Sequence, residues 1–350
     1  MANKHEFDGS GLLFFAAFSV LLVAIWQTTL FSAYSLEQLV YKETLSQLTA
    51  QVVLAVPRKH TADQRDIVLG FVGDIMLDRG VKNAIQNYGS GDYRFPFVKA
   101  RDELRAYDIL FGNLEGPISD KGKDQGSSYS FRMHPDAVEG LRDAGFDVLS
   151  VANNHIGDWG RGAFDDTLEW LRGSNIVPVG AGLDTQEAYQ SRVISKNGAR
   201  VAYLAFSEFG TGFSETDEGA LGISVIGDGE KLIESISDAK NNADLVVVSF
   251  HFGDEYQSEP NEFQQRIAKR VIDAGADVVV GHHPHAIQPL ERYNNGYIAY
   301  SLGNFVFDQS FSEETMTGAV LEITISNKKI KSARYRTVRL NDYFQPAFVD

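Results

Sequence analysis

Polar side chains of the kinds that hold metal ions follow directly on five short apolar runs of this sequence. Asp74 follows the run 67–72, and His251 follows the run 245–250. The other three runs lead to Asn113 with Glu115, to Asn153, Asn154 and His155, and to His282, His283 and His285. In open α/β sheets, ligands bind at the carboxyl ends of the strands. We therefore expect these side chains, which include five of the eight histidines, to converge on one edge.

The types of these side chains predict divalent metal chemistry. The sequence has no cysteine, so thiolate nucleophiles, disulfides and iron–sulfur clusters are excluded. Carboxylate, carboxamide and imidazole ligands suit Mn²⁺, Fe²⁺ or Zn²⁺. A cluster this rich has ligands for one or two such ions, and a pair would lower the pKa of a water and clamp a phosphoryl group. A lone histidine at a strand end is more often structural, and it is the repetition that favours a metal site.

The elements that would position these residues indicate an α/β fold. From residue 66 onward, short β-branched runs alternate with longer helical patterns, which is typical of a layered α/β domain. Strands are predicted at 67–72, 108–111, 147–151, 176–179, 200–206, 244–250, 277–280, 297–301, 318–325 and 331–338. Helices are predicted at 134–144, 163–173, 229–241 and 260–275, and a polar loop at 119–130.

Composition limits the function classes. With 350 residues, 43% of them hydrophobic and 23% charged, the chain has the make-up of a globular protein with a sizeable core. Its 32 Lys and Arg residues face 47 Asp and Glu residues, which gives a net charge of −15. That sign is wrong for a protein that coats nucleic acid, so no nucleic-acid partner is expected.

The N-terminal region predicts a membrane anchor. No charged residue occurs from 9 to 36, and 12–31 is long and apolar enough for one transmembrane helix. A cleaved signal peptide or a buried core helix is the alternative, but Phe31-Ser32-Ala33 is a poor cleavage site because it places a bulky ring where a small residue is needed. Basic residues after the span give only a weak orientation signal. We expect a single-pass protein of the cell membrane with its main domain outside the cytoplasm.

The predicted organisation has five parts. They are an N-terminal tail (1–11), a transmembrane anchor (12–31), a stalk and linker (32–65), the folded domain (66–340) and a C-terminal tail (341–350).

Six sequence blocks, in order over about residues 67–310, resemble one known family. The blocks are GDIMLDRG (73–80), GNLEGPIS (112–119), FRMHPDAVEGLRDAGFDVLSVANNH (131–155), HFGDEY (251–256), GHHPHAIQPLE (281–291) and SLGNFVFDQ (301–309). They are similar to the bacterial capsule biosynthesis proteins of the CapA or PgsA type, associated with poly-γ-glutamate. The resemblance implies a metallophosphoesterase-like α/β/β/α sandwich, here with an N-terminal transmembrane helix.

The resemblance also assigns roles to individual residues. It implies metal ligation by Asp74, Glu115, Asn154, His251, His283 and His285. It makes His155 the residue that contacts substrate or protonates the leaving group. One departure from the general phosphoesterase pattern is Met76, which stands where that pattern has histidine. A thioether is a poor ligand for a hard ion, so this metal position is weakened, empty, or served by Asp78.

Three further residues are weaker candidates. Glu255, four residues after His251, is predicted to be a catalytic acid or base, although an acidic residue in a loop is usually just solvated. Asn304 and Asp308 are candidates for orienting the ligands from behind, with a local turn role as the alternative.

Two readings of function follow from the resemblance. In the first, the chain is a membrane-anchored protein for synthesis or export of a capsule polymer such as poly-γ-glutamate, and acts as a metal-dependent hydrolase. In the second, it is a non-catalytic polymer-binding or scaffold subunit. A soluble nucleotidase would require removal of the anchor.

The expected partners follow from the same resemblance. No phosphate-binding loop motif GxxxxGK[ST] is present, so ATP-driven ligation would belong to separate ligase and membrane subunits of a capsule synthase. The expected substrate is an anionic polymer or a phosphoester. Because a chain of net charge −15 repels polyglutamate, binding would need bridging cations or a local basic patch.

Overall fold

The computed structural model describes residues 65–210 and 222–349. The predicted tail and anchor, and all but the last residue of the predicted stalk, lie outside these ranges. Within the described ranges, no helix combines the length and hydropathy needed to cross a bilayer.

The larger of two main sheets has eight strands. They are β1 (Ile67–Ile75), β2 (Ile109–Leu114), β3 (Val148–Ser150), β4 (Val177–Val179), β13 (Asn304–Val306), β14 (Thr317–Ser326), β15 (Lys329–Leu340) and β16 (Pro346–Phe348). Their order is β16–β15–β14–β1–β2–β3–β4, with β13 also paired to β1. Strands β1 to β4 and β13 pair in parallel, whereas β14, β15 and β16 join through antiparallel pairings.

The second main sheet has six strands in the order β11–β12–β10–β9–β7–β6. They are β6 (Arg192–Lys196), β7 (Ala199–Ser207), β9 (Leu245–His251), β10 (Val278–His282), β11 (Leu290–Tyr293) and β12 (Gly296–Ala299). Its central strands β7, β9, β10 and β12 are parallel. A small antiparallel pair consists of β5 (Ala181–Gly182) and β8 (Gly222–Ile223).

Helices connect the parallel strands. The α-helices of the described ranges are α1 (Arg79–Tyr88), α2 (Arg101–Leu104), α3 (Ala137–Ala144), α4 (Gly160–Gly173), α5 (Thr185–Ala188), α6 (Glu230–Asn242) and α7 (Glu262–Asp273). Local signals set several ends. Asn261 and Gln264 form a reciprocal capping box that begins α7, and α3 ends at Gly145, whose φ of 95° is a left-handed conformation that glycine adopts freely.

Three apolar cores stack the elements into four layers. The two main sheets pack face to face, where Phe111 of β2 stacks on Tyr203 of β7 with ring centroids 5.9 Å apart. The outer face of the larger sheet is covered by α1, α3 and α4, and the outer face of the six-stranded sheet by α6 and α7. The order helix, sheet, sheet, helix is the predicted α/β/β/α sandwich.

Strand register brings the polar strand ends together. Asp74 on β1 pairs with Asn113 on β2 and with Asn304 on β13, and His251 on β9 pairs with His282 on β10. The β1 register is irregular around Asp74. Such irregularities are common next to functional sites because they redirect side chains.

The predicted strands and helices all correspond to observed ones, with ends shifted by a few residues. Strands β6 and β11 of the six-stranded sheet were not predicted, nor were helix α1 and strand β13, which lie beside the polar strand ends. The larger sheet also continues past residue 340, the predicted end of the domain, because β16 pairs with β15.

A substitution at Gly281 tests the close packing that positions this edge. A Cβ at Gly281 would lie 1.8 Å from the backbone oxygen of Tyr300. Gly281→Ala is therefore expected to lower the free energy of unfolding by about 3 kcal/mol, measured by chemical denaturation followed by circular dichroism. Gly173→Ala is the matched control, because a Cβ there meets no atom within 4 Å. Equal stability of the two variants would contradict the prediction.

Candidate metal centre

Asp74 lies at the centre of the site, at the carboxyl end of β1, with no exposed surface. Its Oδ1 accepts a hydrogen bond from Asn113 Nδ2 (2.9 Å), and its Oδ2 accepts one from the backbone N–H of His283 (3.3 Å). The Nδ1 atoms of His282 and His285 lie 3.4 and 3.2 Å from the same carboxylate. Both main sheets therefore contribute to the surroundings of one buried carboxylate.

Asp74, Glu115 and His251 form the inner ligand group. Each offers one potential ligand atom, and these atoms lie within 4.8 Å of one another. All three side chains are buried. The Nε2 atom of His251 lies 2.8 Å from Asn154 Oδ1, so the predicted carboxamide ligand is at the same place.

Glu255, His283 and His285 form the outer ligand group, whose potential ligand atoms also lie within 4.8 Å of one another. Glu255 is exposed, whereas both histidines are buried. The two groups adjoin, because His285 Nε2 lies 3.6 Å from Glu115 Oε1. All six predicted ligands and Glu255 thus lie in one cluster.

His155 forms a dyad with an aspartate that was not predicted. His155 Nδ1 lies 2.9 Å from Asp158 Oδ2. Asp158 is buried and also accepts hydrogen bonds from Ser127 Oγ (2.7 Å) and the backbone N–H of Phe131 (2.9 Å). These bonds fix the carboxylate, which in turn fixes the imidazole with Nε2 available for another partner.

Burial and mutual charge shift the protonation of the cluster. Burial would raise the pKa of Asp74, but the adjacent His282 and His285 rings hold it well below its usual range. Burial and the Asp74 charge raise the pKa of Glu115 well above its usual range. Burial lowers the pKa of His285, but the charges of Glu115 and Asp74 outweigh it and raise the pKa to about 9.

Two further imidazoles, those of His251 and His283, favour the neutral form that binds metals. Burial and then the neighbouring His283 lower the pKa of His251 well below its usual range. Burial and then His285 lower the pKa of His283 to about 4. At neutral pH, two of the predicted ligands are therefore held ready to donate a lone pair.

Several buried polar atoms of the cluster have no hydrogen-bond partner in the described part of the chain. They are Glu115 Oε1, His283 Nδ1 and both ring nitrogens of His282. A buried polar atom left unpaired costs about 1–3 kcal/mol, and a bound cation would satisfy such lone pairs. The donor set of carboxylate oxygens and imidazole nitrogens fits a divalent ion.

Met76 and Asp78 of the first motif both make contacts away from the two ligand groups. Met76 is fully buried, and its Sδ accepts a hydrogen bond from the backbone N–H of Asp78 (3.1 Å). The Asp78 carboxylate accepts one from the backbone N–H of Arg132 (2.9 Å) and lies 3.5 Å from Lys82 Nζ. Neither residue belongs to the inner or the outer ligand group. Asp78 therefore does not replace the missing histidine.

Asn304 and Asp308 lie in different parts of the site. Asn304 Oδ1 is 2.9 Å from His285 Nδ1, as expected for a residue that orients a ligand. Asp308 instead accepts hydrogen bonds from Arg79 Nε (3.1 Å) and the backbone N–H of Gly80 (2.9 Å).

A pocket of about 180 Å³ opens beside the outer ligand group. It is lined by Arg79, Tyr129, Phe131, His155, Glu255, Tyr256, His285, Phe307, Asp308, Gln309 and Phe311. The dyad histidine, the predicted catalytic Glu255 and one predicted ligand thus face the same space.

Comparison with known proteins found one matching family profile and several similar relatives. Residues 68–309 match the profile of the bacterial capsule synthesis protein PGA_cap. The chain is 38% identical over 265 residues to the capsule biosynthesis protein CapA of Bacillus anthracis, covering 73% of this chain and 63% of that protein. It is also 38% identical over 260 residues to the PGA biosynthesis protein CapA of Bacillus subtilis (strain 168), covering 73% and 67%. The chain thus spans less than two thirds of the length of the first of these relatives.

Solved structures with a similar fold are more distant in sequence. A hypothetical protein from Thermus thermophilus has a TM-score of 0.47 at 15% identity, covering 77% of this chain and 98% of that one. A putative 5′-nucleotidase from Staphylococcus aureus has a TM-score of 0.47 at 15% identity, covering 81% and 55%.

Loss of the central carboxylate should weaken metal binding. Asp74→Asn keeps the shape of the side chain but removes its charge, so the affinity for Mn²⁺ should fall at least tenfold, since even residues behind the ligands contribute about 10–100-fold. Bound Mn²⁺ would be measured after equilibrium dialysis. His134→Ala, at an exposed histidine outside both ligand groups, should bind like the unmodified chain. Undiminished binding by Asp74→Asn would refute the site.

Proposed function

The chain belongs to the bacterial capsule synthesis protein family PGA_cap, and from this premise we propose that it serves the synthesis or export of an anionic capsule polymer such as poly-γ-glutamate. Its similarity to CapA proteins of two Bacillus species supports this proposal. We further propose a single-pass membrane protein with the domain outside the cytoplasm, because residues 12–31 have the length and hydropathy of a membrane span.

We propose that the site is that of a metal-dependent hydrolase of a phosphoester or amide bond. The observation that carries this proposal is the meeting of Asp74, Glu115, Asn154, His251, His283 and His285 in one buried cluster with unpaired lone pairs. The cofactor we propose is one or two ions of Mn²⁺, Fe²⁺ or Zn²⁺. When bound there, such an ion would lower the pKa of a water and polarise the scissile group.

The side chains around the pocket supply the proton transfers. His155 uses Nδ1 to contact Asp158, so its Nε2 is the atom that can hand a proton to a departing oxygen or nitrogen in the pocket. Asp158 keeps the ring in one orientation. Glu255 lies at the exposed side of the pocket, where it can accept a proton from water.

A second candidate function, a polymer-binding or scaffold subunit without catalysis, is favoured by the first motif. Met76 occupies the position of a histidine ligand in the general phosphoesterase pattern, and Asp78 does not replace it. Bound cations would then bridge the carboxylates of the polymer to a chain of net charge −15. In both versions, we propose separate ligase and membrane subunits as partners.

The dyad separates the two candidates. In the hydrolase, His155→Ala should reduce kcat for a generic phosphodiester by about 10²–10⁴-fold, because general acid catalysis contributes that much. Asp158→Asn should reduce kcat in the same direction, since it leaves His155 without its charged partner. Bound metal should be unchanged in both variants, and His134→Ala is the control histidine.

Two results would reject the hydrolase. One is turnover that persists at the same rate in His155→Ala. The other is an unmodified chain that holds metal stoichiometrically but hydrolyses neither a phosphodiester nor a γ-glutamyl amide, which would support the scaffold role instead.

A further inference from the structure

Three aromatic rings at the mouth of the pocket are held in solvent. The exposed fractions are 64% for Tyr129, 45% for Tyr256 and 65% for Phe311. All three line the pocket beside His155 and His285. Burying apolar surface is worth roughly 25 cal/mol per Å², so rings that stay exposed together around a concave site mark a place where a ligand covers them.

Among the residues that line the same pocket, Arg79 is the one arginine. The Arg79 guanidinium lies 5.4 Å from the Phe131 ring centroid and 5.8 Å from that of Tyr129. Asp308 holds it, with Arg79 Nε and Nη2 each 3.1 Å from a carboxylate oxygen. About 37% of the Arg79 side chain is exposed, so the guanidinium is fixed in place yet open to an anionic group.

Backbone conformation at the two sides of the pocket is unusual. Arg79 has φ of 50° and Tyr256 has φ of 61°, in the left-handed region that residues with a Cβ rarely adopt. Each such residue costs about 1–3 kcal/mol and persists where surrounding contacts hold it, most often at ligand sites. Here the backbone N–H of Tyr256 donates to Pro284 O (2.7 Å), and that of Gly80, next to Arg79, donates to Asp308 (2.9 Å).

Hydrogen bonds connect Tyr256 to His285, a predicted metal ligand. His285 Nδ1 lies 2.9 Å from Asn304 Oδ1, and Asn304 Nδ2 donates to Gln309 Oε1 (3.0 Å). Gln309 Nε2 then donates to the hydroxyl of Tyr256 (3.1 Å). The ring of Tyr256 packs edge to face with that of Phe311, with centroids 5.1 Å apart. The rings of Tyr256 and Phe311 are therefore held at a fixed position relative to the ligand groups.

We propose that this pocket binds a flat ring that carries an anionic group, with the ring against Tyr129, Tyr256 and Phe311 and the anion at Arg79. The size agrees, because a cavity of about 150 Å³ accommodates benzene and this one measures about 180 Å³. That the ring belongs to the substrate rests on the proposed function. The substrate class is then an ester or amide whose anionic group sits beside an aromatic ring.

Three phosphonates that differ only in their organic group test the pocket. Phenyl-, cyclohexyl- and methylphosphonate would be titrated calorimetrically into the full-length chain loaded with Mn²⁺. Phenylphosphonate should bind about two- to tenfold more tightly than methylphosphonate, the range that aromatic pairs supply. Cyclohexylphosphonate, whose ring is puckered as in a sugar, should lie between them. Equal binding of phenyl- and methylphosphonate would overturn the proposal, and equal binding of the two rings would reduce it to an unspecific apolar pocket.

Single substitutions test which residues make phenylphosphonate bind more tightly than methylphosphonate. Tyr129→Ala and Phe311→Ala should each reduce phenylphosphonate affinity about threefold and leave methylphosphonate unchanged. Tyr88→Ala is the matched control, because Tyr88 is 62% exposed and lies outside the pocket. Arg79→Gln should weaken all three phosphonates at least tenfold, as expected for loss of a charged hydrogen-bond partner. A loss in Tyr88→Ala equal to that in Tyr129→Ala, or no loss in Arg79→Gln, would overturn the assignment.

Metal content and phosphodiester turnover, measured on the same samples, separate this proposal from the proposed function. If metal and His155-dependent turnover are present but the ring preference is absent, only the pocket proposal fails. If no metal binds, the hydrolase proposal fails, and the preference between phenyl- and methylphosphonate in the metal-free chain still decides the pocket.

Discussion

The structure of the site depends on one buried carboxylate at the junction of two sheets. Asp74 is removed from water, and a charge in that position persists only if polar partners surround it. Asn113 comes from the neighbouring strand of the same sheet, whereas His282, His283 and His285 come from the end of the other sheet and the loop after it. The face-to-face packing of the sheets therefore fixes the distances between the potential ligands before any ion arrives.

That arrangement is electrostatically incomplete in the chain alone. Glu115, its pKa raised by burial and by the Asp74 charge, favours its proton, while His285 favours an extra proton because both carboxylates adjoin it. The protons on Glu115 and His285 reduce the repulsion between the carboxylates of Asp74 and Glu115, and a bound cation would do the same. The unpaired Oε1 of Glu115 and Nδ1 of His283 also indicate a cation site. A folded chain rarely buries such atoms without a hydrogen-bond partner or a bound ion.

Sequence reasoning predicted the strands and their polar ends because apolar runs and the residues that follow them are local signals. It expected Asn113 and His282 at the same sheet edge without giving them a role, and it did not identify Asp158, although Asp158 follows His155 by only three positions. Their contributions come from pairing: Asn113 and His282 reach Asp74 through strand register and sheet packing, which no local pattern contains. Helix α1 escaped prediction because its sequence, RGVKNAIQNY, has only a few apolar residues, and β13 because three residues carry too little periodicity.

The inner and outer ligand groups differ in a way that bears on chemistry. Asp74, Glu115 and His251 are all buried, so an ion held by them would lie away from solvent. Glu255 is exposed, and the outer group borders the pocket that His155 also lines. Among the described residues, the outer group is therefore the one that borders this pocket, and His155 and Arg79 line the same cavity. Met76 is buried and outside the lining of this pocket, so the departure from the histidine pattern removes no residue that lines it.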